Sequence, residues 1–413
     1  MLPNQMNDIC PIEAREGAIA ILNTLRGEGF ETYFAGGCVR DRLLSKAPTE
    51  YDIATAARPD DIKTIFPKAK SVGEAFGVML VRSHNNMYDI ATFRSDGPYS
   101  DHRHPDQVQF SDAQHDAARR DFTINGLFED PIEEKIIDYV GGTADMDDRI
   151  IRAIGDPIKR IEEDHLRMLR AIRFSARFEF SIESETGNAI RELSMELAGV
   201  SRERIGEEVK KMLTDPNRGV AAWEIQYLGL DRVIFAEESC MNAPTRVGRL
   251  PCNASYATAL ASWILDRHTS ETDLLSKASH WRSQLLLSNK VHDEVCEILS
   301  LHQKLFSWST LGTATQKRTV ASEHCMSALA IIQAEDRPLF VHIHRGISLL
   351  ERTGISPERL IDGNDLLKSG IPPSPTIGDV LETVYDAQLE GSINTYEDAI
   401  SLALAIYREF QDS

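Results

Sequence analysis

Near the start of the chain, acidic and apolar residues alternate in two short segments that have the makings of a cation site. In Glu50-Tyr51-Asp52-Ile53-Ala54-Thr55, the period of two along a strand sends Tyr51 and Ile53 to one face and Glu50 and Asp52 to the other. In Tyr88-Asp89-Ile90-Ala91-Thr92-Phe93-Arg94, Tyr88 and Ile90 face a core and Asp89 is left on the opposite side. An isolated acid-x-acid pair is most simply the solvated face of an edge strand. If the two strands are neighbours, three carboxylates converge, and like charges held together call for a cation. Magnesium suits such a set, because it takes oxygen ligands while keeping water and substrate phosphates. The chemistry would be two-metal phosphoryl transfer. One ion would activate an attacking hydroxyl, and the other would bind a triphosphate and its leaving pyrophosphate, so no protein nucleophile is required.

The elements that must position these acids can be read from the same region. Residues 32–35, 51–54, 78–82 and 87–93 are β-type runs bounded by Gly, Asn, Asp or Pro. The stretch from Tyr33 to Leu44 reads as a strand, a turn at Gly36-Gly37, then a helix. Glycines there let the backbone approach a ligand, and the first N–H groups of the helix favour an anion, although such turns are commonly only structural. From about Arg149 the pattern becomes helical, with Ile161, Leu166, Leu169, Ile172 and Ala176 at helical spacing and residues 202–213 continuing it. Further helices follow, and Pro372, Pro373 and Pro375 mark a turn between the last of them. The expected class is α+β. A small mixed α/β head (1–148) is followed by an elongated all-helical neck (149–215), body and tail (216–413).

Bulk properties narrow the possibilities. At 413 residues and 42% hydrophobic, the chain can bury more than one core. No stretch approaches the roughly 18 consecutive apolar residues of a membrane span, and the start lacks the pattern of a secretion signal, so a soluble cytoplasmic protein is expected. Cys10, Cys38, Cys240, Cys252, Cys296 and Cys325 are scattered without a CxxC pair, which argues against a zinc site or a disulfide framework. The histidines are dispersed too, with no metal-hydrolase spacing, and His165 reads as a helix-surface residue. The net charge of −19 excludes a protein that coats itself with nucleic acid; an RNA partner would need a local basic patch. Arg149, Arg152, Lys159, Arg160, Arg167, Arg170, Arg173 and Arg177 form such a run, though a solvated helix face is the competing reading.

Taken together and in order, these residues resemble the class II tRNA nucleotidyltransferase (CCA-adding enzyme) and bacterial poly(A) polymerase family of polymerase-beta-like nucleotidyltransferases. Gly36-Gly37-Cys38-Val39-Arg40-Asp41 looks like the family's GGxVRD, and Glu50-Tyr51-Asp52-Ile53-Ala54-Thr55 like its DxDxAT metal motif. Asp89 to Arg94 looks like the third-carboxylate strand, and Asp101-His102-Arg103-His104-Pro105 like the flexible loop after it. Arg119-Arg120-Asp121-Phe122-Thr123-Ile124-Asn125 resembles RRDFTIN. Glu163-Asp164-His165-Leu166-Arg167, with Arg170 and Arg173, resembles the EDxxR helix, and Ser201-Arg202-Glu203-Arg204-Ile205 a later element. One departure stands out: Glu50 replaces the first metal aspartate, keeping the charge but adding a methylene.

The resemblance implies metal-dependent addition of C, C and A, from CTP and ATP, to the 3′ end of tRNA. Glu50 and Asp52 would hold Mg2+, with Asp89 as the third catalytic carboxylate. Gly36, Gly37, Arg40, Arg120, Asp121, Asn125, Asp164, Arg167, Arg170 and Arg173 would bind the nucleotide. Asp164 and Arg167, three apart on one expected helix, would read the amine and adjoining acceptor that cytosine and adenine share; the plain alternative is a surface ion pair. Arg40 and Arg120 are the expected phosphate partners, and Asp121 either orients them or caps a helix. The segment around Ile361–Asp365, with Gly370 and Gly378, resembles a C-terminal element that supports tRNA, or is a helix-packing turn. Relatives that add only A, only CC, or poly(A) share these motifs, and a non-catalytic tRNA-binding descendant is the alternative of another class. The loop at 101–105 argues against CC-only addition. The segment at 72–77 lacks the basic sequence associated with poly(A) polymerases. The sequence leaves the oligomeric state open.

Overall fold

The computed structural model describes residues 11–73, 77–103, 105–268 and 273–412. Cys10, residues 74–76 of the segment at 72–77, and His104 of the loop lie outside the described residues. The chain forms two compact units that part between Met241 and Asn242.

The first unit is built on a seven-stranded sheet. Helix α1 (Pro11–Gly27) precedes β1 (Thr32–Ala35), α2 (Gly37–Leu43), β2 (Asp52–Thr55), α3 (Pro59–Ile65), β3 (Lys70–Gly73), β4 (Val78–Ser83) and β5 (Asn86–Thr92). A ribbon of β6 (Arg94–Asp96) and β7 (Val108–Phe110) follows, then α4 (Ala113–Ala118), β8 (Phe128–Asp130) and β9 (Lys135–Ile137). The sheet order is β3-β4-β5-β2-β1-β8-β9, with β2 and β5 parallel and the other pairs antiparallel. The strands expected at 51–54 and 87–93 are thus present with their ends shifted by a residue or so.

The period-two pattern decides which way this sheet faces. Tyr51, Ile53, Tyr88 and Ile90 are buried, and the Tyr88 hydroxyl donates to the Ala14 carbonyl of α1 at 2.9 Å. That face is the core, closed by Ile21, Leu22 and Leu25 of α1. Asp52 and Asp89, one residue out of phase with these, therefore leave on the other face.

Beyond the sheet come α5 (Gly142–Asp147), β10 (Ile150–Ile151), α6 (Pro157–Glu163), α7 (Arg167–Phe178), β11 (Ser181–Ile182), α8 (Ser184–Glu192), α9 (Arg202–Leu213), α10 (Arg218–Tyr227) and α11 (Asp231–Phe235). The helical reading from Arg149 onward is interrupted by β10 and β11, which pair in parallel. Two-residue strands are too short to leave a periodic signal. Helix α10 packs on α7 and α9, so the first unit runs past residue 215.

The second unit is helical throughout its described residues: α12 (Thr245–Arg249), α13 (Tyr256–Arg267), α14 (Leu274–Leu285), α15 (Asn289–Phe306), α16 (Thr313–Ala321), α17 (Cys325–Glu335), α18 (Arg337–Thr353), α19 (Gly363–Lys368), α20 (Ile377–Glu390) and α21 (Tyr396–Asp412). Trp263 and Trp281 meet edge to face in its core, with centroids 5.7 Å apart. Leu366, Val380, Val384, Ala399 and Ala403 make a smaller core at the end, and the turn marked by the prolines lies between α19 and α20. Among the described residues, no helix is long and apolar enough to cross a membrane.

Candidate active site

A cavity of about 900 Å³ opens on the acidic side of the sheet. Its floor comes from β2 and β5. Their register pairs Ile53 with Ile90 and Ala54 with Ala91, so Asp52 and Asp89 lie side by side one position earlier. Glu50 lines the same cavity from the residues leading into β2. Withdrawal from bulk water, and then the Asp89 charge, push the Asp52 carboxyl above the ordinary aspartate range; Glu50 adds to this, while Arg120 and Arg40 oppose it.

Among the described residues, no group of three or more His, Cys, Asp or Glu side chains is gathered closely enough to enclose an ion. Glu50, Asp52 and Asp89 offer oxygen donors only, and they face the open cavity. This fits a hard divalent ion that keeps water and substrate oxygens, and does not fit a protein-caged metal.

One wall is the turn after β1. Gly36 has φ 67°, in the left-handed region, and a Cβ there would stand 3.0 Å from Nη1 of Arg120. Gly37 then opens α2, and both glycines line the cavity. From α2, Arg40 donates to Oδ1 of Asn125 at 2.5 Å and to Asp41 at 2.7 Å. Nδ2 of Asn125 donates to Asp121 at 2.9 Å, and Asp121 accepts from Arg170 of α7 at 2.8 Å. Burial alone would raise the Asp121 carboxyl, but Arg170 and Asn125 outweigh it and hold the group at about 2. Asp121 thus holds Arg170 directly and reaches Arg40, one of the two arginines the sequence reading assigned to it, only through Asn125; among the described residues its local bond resembling a cap is to the Phe122 N–H. Arg120 grips the buried Asp116 and the Asn125 carbonyl, and Arg119 shares Asp116.

Helix α7 forms the facing wall. Arg170, Arg173 and Arg177 fall on one stripe by helical spacing and line the cavity with Phe174. The Arg40 guanidinium lies 5.2 Å from the Phe174 ring centre and that of Arg173 lies 4.2 Å from it. Arg173 is held by Glu208 of α9 at 2.6 Å. Of the basic run read from the sequence, Arg167, Arg170, Arg173 and Arg177 reach the cavity. Arg152 pairs instead with Asp145, Lys159 is exposed beside Asp156, and Arg160 pairs with Glu163; Arg149 is not in the lining. The run is not one surface patch, because two helices and a strand divide it.

The expected single helix through Asp164 and Arg167 is corrected by the structure. Helix α6 ends at Glu163, Asp164 is extended (φ −150°, ψ 104°), and α7 begins at Arg167. Asp164 accepts from the Leu166 N–H at 3.1 Å and pairs with Arg204 of α9 at 2.8 Å, while Arg167 pairs with Glu163 at 2.5 Å. Both side chains still reach the cavity, but from a helix junction and not as an i, i+3 pair. His165 is buried, not on the surface as expected. Its ring stacks on His102 of the β6–β7 loop at 4.6 Å, and His102 Nδ1 donates to the Glu162 carbonyl at 2.6 Å. From the same loop Arg103 and Pro105 line the cavity, as does Tyr99, whose hydroxyl donates to Asp96 at 2.7 Å. Sequence reasoning missed Tyr99, Asp96, Glu208 and the partner role of Arg204. The first three carry no periodic or motif signal, whereas Arg204 stood inside a recognised segment.

Every residue singled out in the sequence as catalytic or nucleotide-binding lines this one cavity. Comparison with known proteins agrees along the chain. Family models match at residues 32–152 (“Poly A polymerase head domain”), 179–236 (“Probable RNA and SrmB-binding site of polymerase A”) and 269–404 (“tRNA nucleotidyltransferase domain 2”). The chain is 32% identical to the CCA-adding enzyme of Lactobacillus johnsonii over 398 residues, covering 94% of this chain and 96% of that protein. It is likewise 32% identical to that of a Geobacillus species over 397 residues, covering 94% and 96%. The crystal structure of the Bacillus stearothermophilus CCA-adding enzyme in complex with CTP superposes with a TM-score of 0.78 at 26% identity, over 98% of this chain and 99% of that one. The cavity, its carboxylates and the relatives together place this chain in the CCA-adding enzyme family of tRNA nucleotidyltransferases.

Proposed function

We propose that this protein adds C, C and A, from CTP and ATP, to the 3′ end of tRNA in the cytoplasm, releasing pyrophosphate. The observation that carries the reading is the pair Asp52 and Asp89, side by side on parallel strands beneath a wall of arginines. Glu50 and Asp52 would hold Mg2+, with Asp89 as the third catalytic carboxylate beside them; the ion would supply charge for the attacking 3′-hydroxyl and the leaving pyrophosphate. The extra methylene of Glu50 is tolerable because Glu50 precedes the rigid strand and is not fixed by its pleat.

The chain's own residues position the substrate. Gly36 and Gly37 give the triphosphate close access to backbone, and Arg40 and Arg120 bind its oxygens through planar forks. Arg170 and Arg173, held by Asp121 and Glu208, bind the triphosphate or ribose from α7. Asp164 accepts from the exocyclic amine of cytosine or adenine, and Arg167 donates to the neighbouring ring acceptor. Uracil and guanine present the reverse pattern, an acceptor where the amine would be and an N–H where the ring acceptor would be, and are refused. In this reading residues 1–148 catalyse, 149–215 select the base, and 216–413 bind tRNA.

The test is incorporation of labelled CMP and AMP into tRNA truncated before its CCA, by the natural protein and by Asp52→Ala. Loss of a metal ligand removes several kcal/mol of transition-state stabilisation, so incorporation should fall by roughly a thousandfold or more. tRNA affinity should stay within about twofold, since Asp52 sets no phosphate contact. Full activity in Asp52→Ala would refute the metal site, and absence of incorporation by the natural protein would favour a tRNA-binding role without catalysis.

A further inference from the structure

By helical spacing, Ser175 lies on the side of α7 away from the arginine stripe, and its hydroxyl serves two neighbours. Its Oγ is 2.7 Å from the carbonyl oxygen of Phe180 and 2.7 Å from Oε1 of Glu224 on α10. A carbonyl only accepts, an ionised carboxylate only accepts, and a hydroxyl has a single proton. That proton cannot make two such short bonds at once. Both contacts are satisfied if Ser175 donates to Phe180 and Glu224, carrying its own proton, donates to Ser175.

The surroundings of Glu224 favour the neutral acid. Its Oε2 is buried without a hydrogen-bond partner. The nearby charges are engaged elsewhere. Arg173 and Lys211 hold Glu208 of α9, Arg191 of α8 lies over the Tyr227 ring, and Arg177 at the end of α7 faces Asp41. Asn217, at the start of α10, donates to the Ala176 carbonyl and to Glu179. An ionised carboxylate here would be a buried charge with no cation, a costly arrangement that protonation removes. The bond also has a mechanical place. Phe180 follows Glu179, whose left-handed backbone (φ 58°) ends α7, and the Phe180 N–H returns to the Ser175 carbonyl at 3.0 Å.

We propose that Glu224 is a positioning residue of the nucleotide site: as a neutral acid it donates to Ser175 and locks the last turn of α7, the helix that carries Arg170, Arg173 and Arg177, onto α10. The proposal rests on the reading of α7 as the triphosphate-binding helix. Burial pushes the Glu224 carboxyl up to about 7, against a smaller opposing effect of the Ser175 bond. A folded-state value above that of an unfolded glutamate means the stabilisation is complete below the ordinary glutamate range and is lost as pH rises through about 7.

The experiment compares the full chain with Glu224→Gln, whose amide keeps an N–H toward Ser175 at every pH. Thermal unfolding and the KM for CTP, with truncated tRNA saturating, are followed from pH 6 to 9. In the natural protein the melting temperature should fall and the KM rise several-fold across neutrality, with little change in kcat. In Glu224→Gln both curves should hold their low-pH values. A melting curve that titrates while the KM does not would refute the link to the nucleotide site. If neither titrates, or Glu224→Gln titrates like the natural protein, Glu224 is not the acid. The unfolding arm needs no catalysis, so a protein that adds no nucleotide at any pH but still melts in this pattern would sink the functional reading and leave the neutral acid standing.

Discussion

Four arginines of the cavity are held by acids: Arg170 by Asp121 and Arg173 by Glu208 from distant parts of the chain, and Arg167 by Glu163 and Arg120 by Asp116 from four residues before. Their partners fix the planar forks before any phosphate arrives, which reduces reorganisation on binding. Asp164 is anchored differently, by Arg204 at 2.8 Å, leaving its other lone pairs for a base amine. Each base-edge hydrogen bond of this kind discriminates by about 1–3 kcal/mol. Asp164→Ala should therefore lower the preference for CTP and ATP over UTP and GTP by roughly tenfold to a hundredfold, and Arg167→Ala should do the same, measured as ratios of kcat/KM for each triphosphate. An unchanged ratio would remove both residues from base recognition.

Among elements, the link that matters is the one between the sheet and α7. It runs Arg40, Asn125, Asp121, Arg170 through bonds of 2.5, 2.9 and 2.8 Å. Asn125 is its middle member, the one side chain able to accept from Arg40 and donate to Asp121 together. Asn125→Ala leaves both neighbours short of a partner, at a cost of about 1–3 kcal/mol. Its melting temperature should drop and its KM for CTP rise together; a lower melting point with an unaltered KM would show that the chain of bonds supports the fold alone. The strands were legible in the sequence because Tyr51, Ile53, Tyr88 and Ile90 mark one buried face at period two, and that face fixes where Asp52 and Asp89 go. The break between α6 and α7 was not legible. No Gly or Pro stands at Asp164-His165-Leu166, and Leu166, Leu169 and Ile172 keep helical spacing after it. The cues were the step of five from Ile161 to Leu166, which leaves the helical face, and Asp164 itself, an aspartate able to bond the N–H two residues on and start a new helix. The burial of His165 follows from the same break, since its partner His102 comes from a distant loop.

For the molecule as a whole, a net charge of −19 must coexist with a polyanionic substrate. The first unit resolves this by gathering cations into one cavity rather than along a surface, which suits the end of an RNA strand better than its length. The second unit shows how little of a helical scaffold can be read ahead of the structure. Its helices were expected, but the meeting of Trp263 with Trp281 depends on contacts across α13 and α14 that no local spacing encodes. The most direct measurement of the central claim is the product formed, at single-nucleotide resolution, when the purified protein meets tRNA ending before, within and after the first two of the three terminal positions, with each triphosphate offered singly and together. The account predicts two cytidines and then one adenosine, stopping there, with adenosine alone added only to the CC-ended RNA. A long adenosine tail without cytidine, or uridine and guanosine used as readily as cytidine, would contradict it.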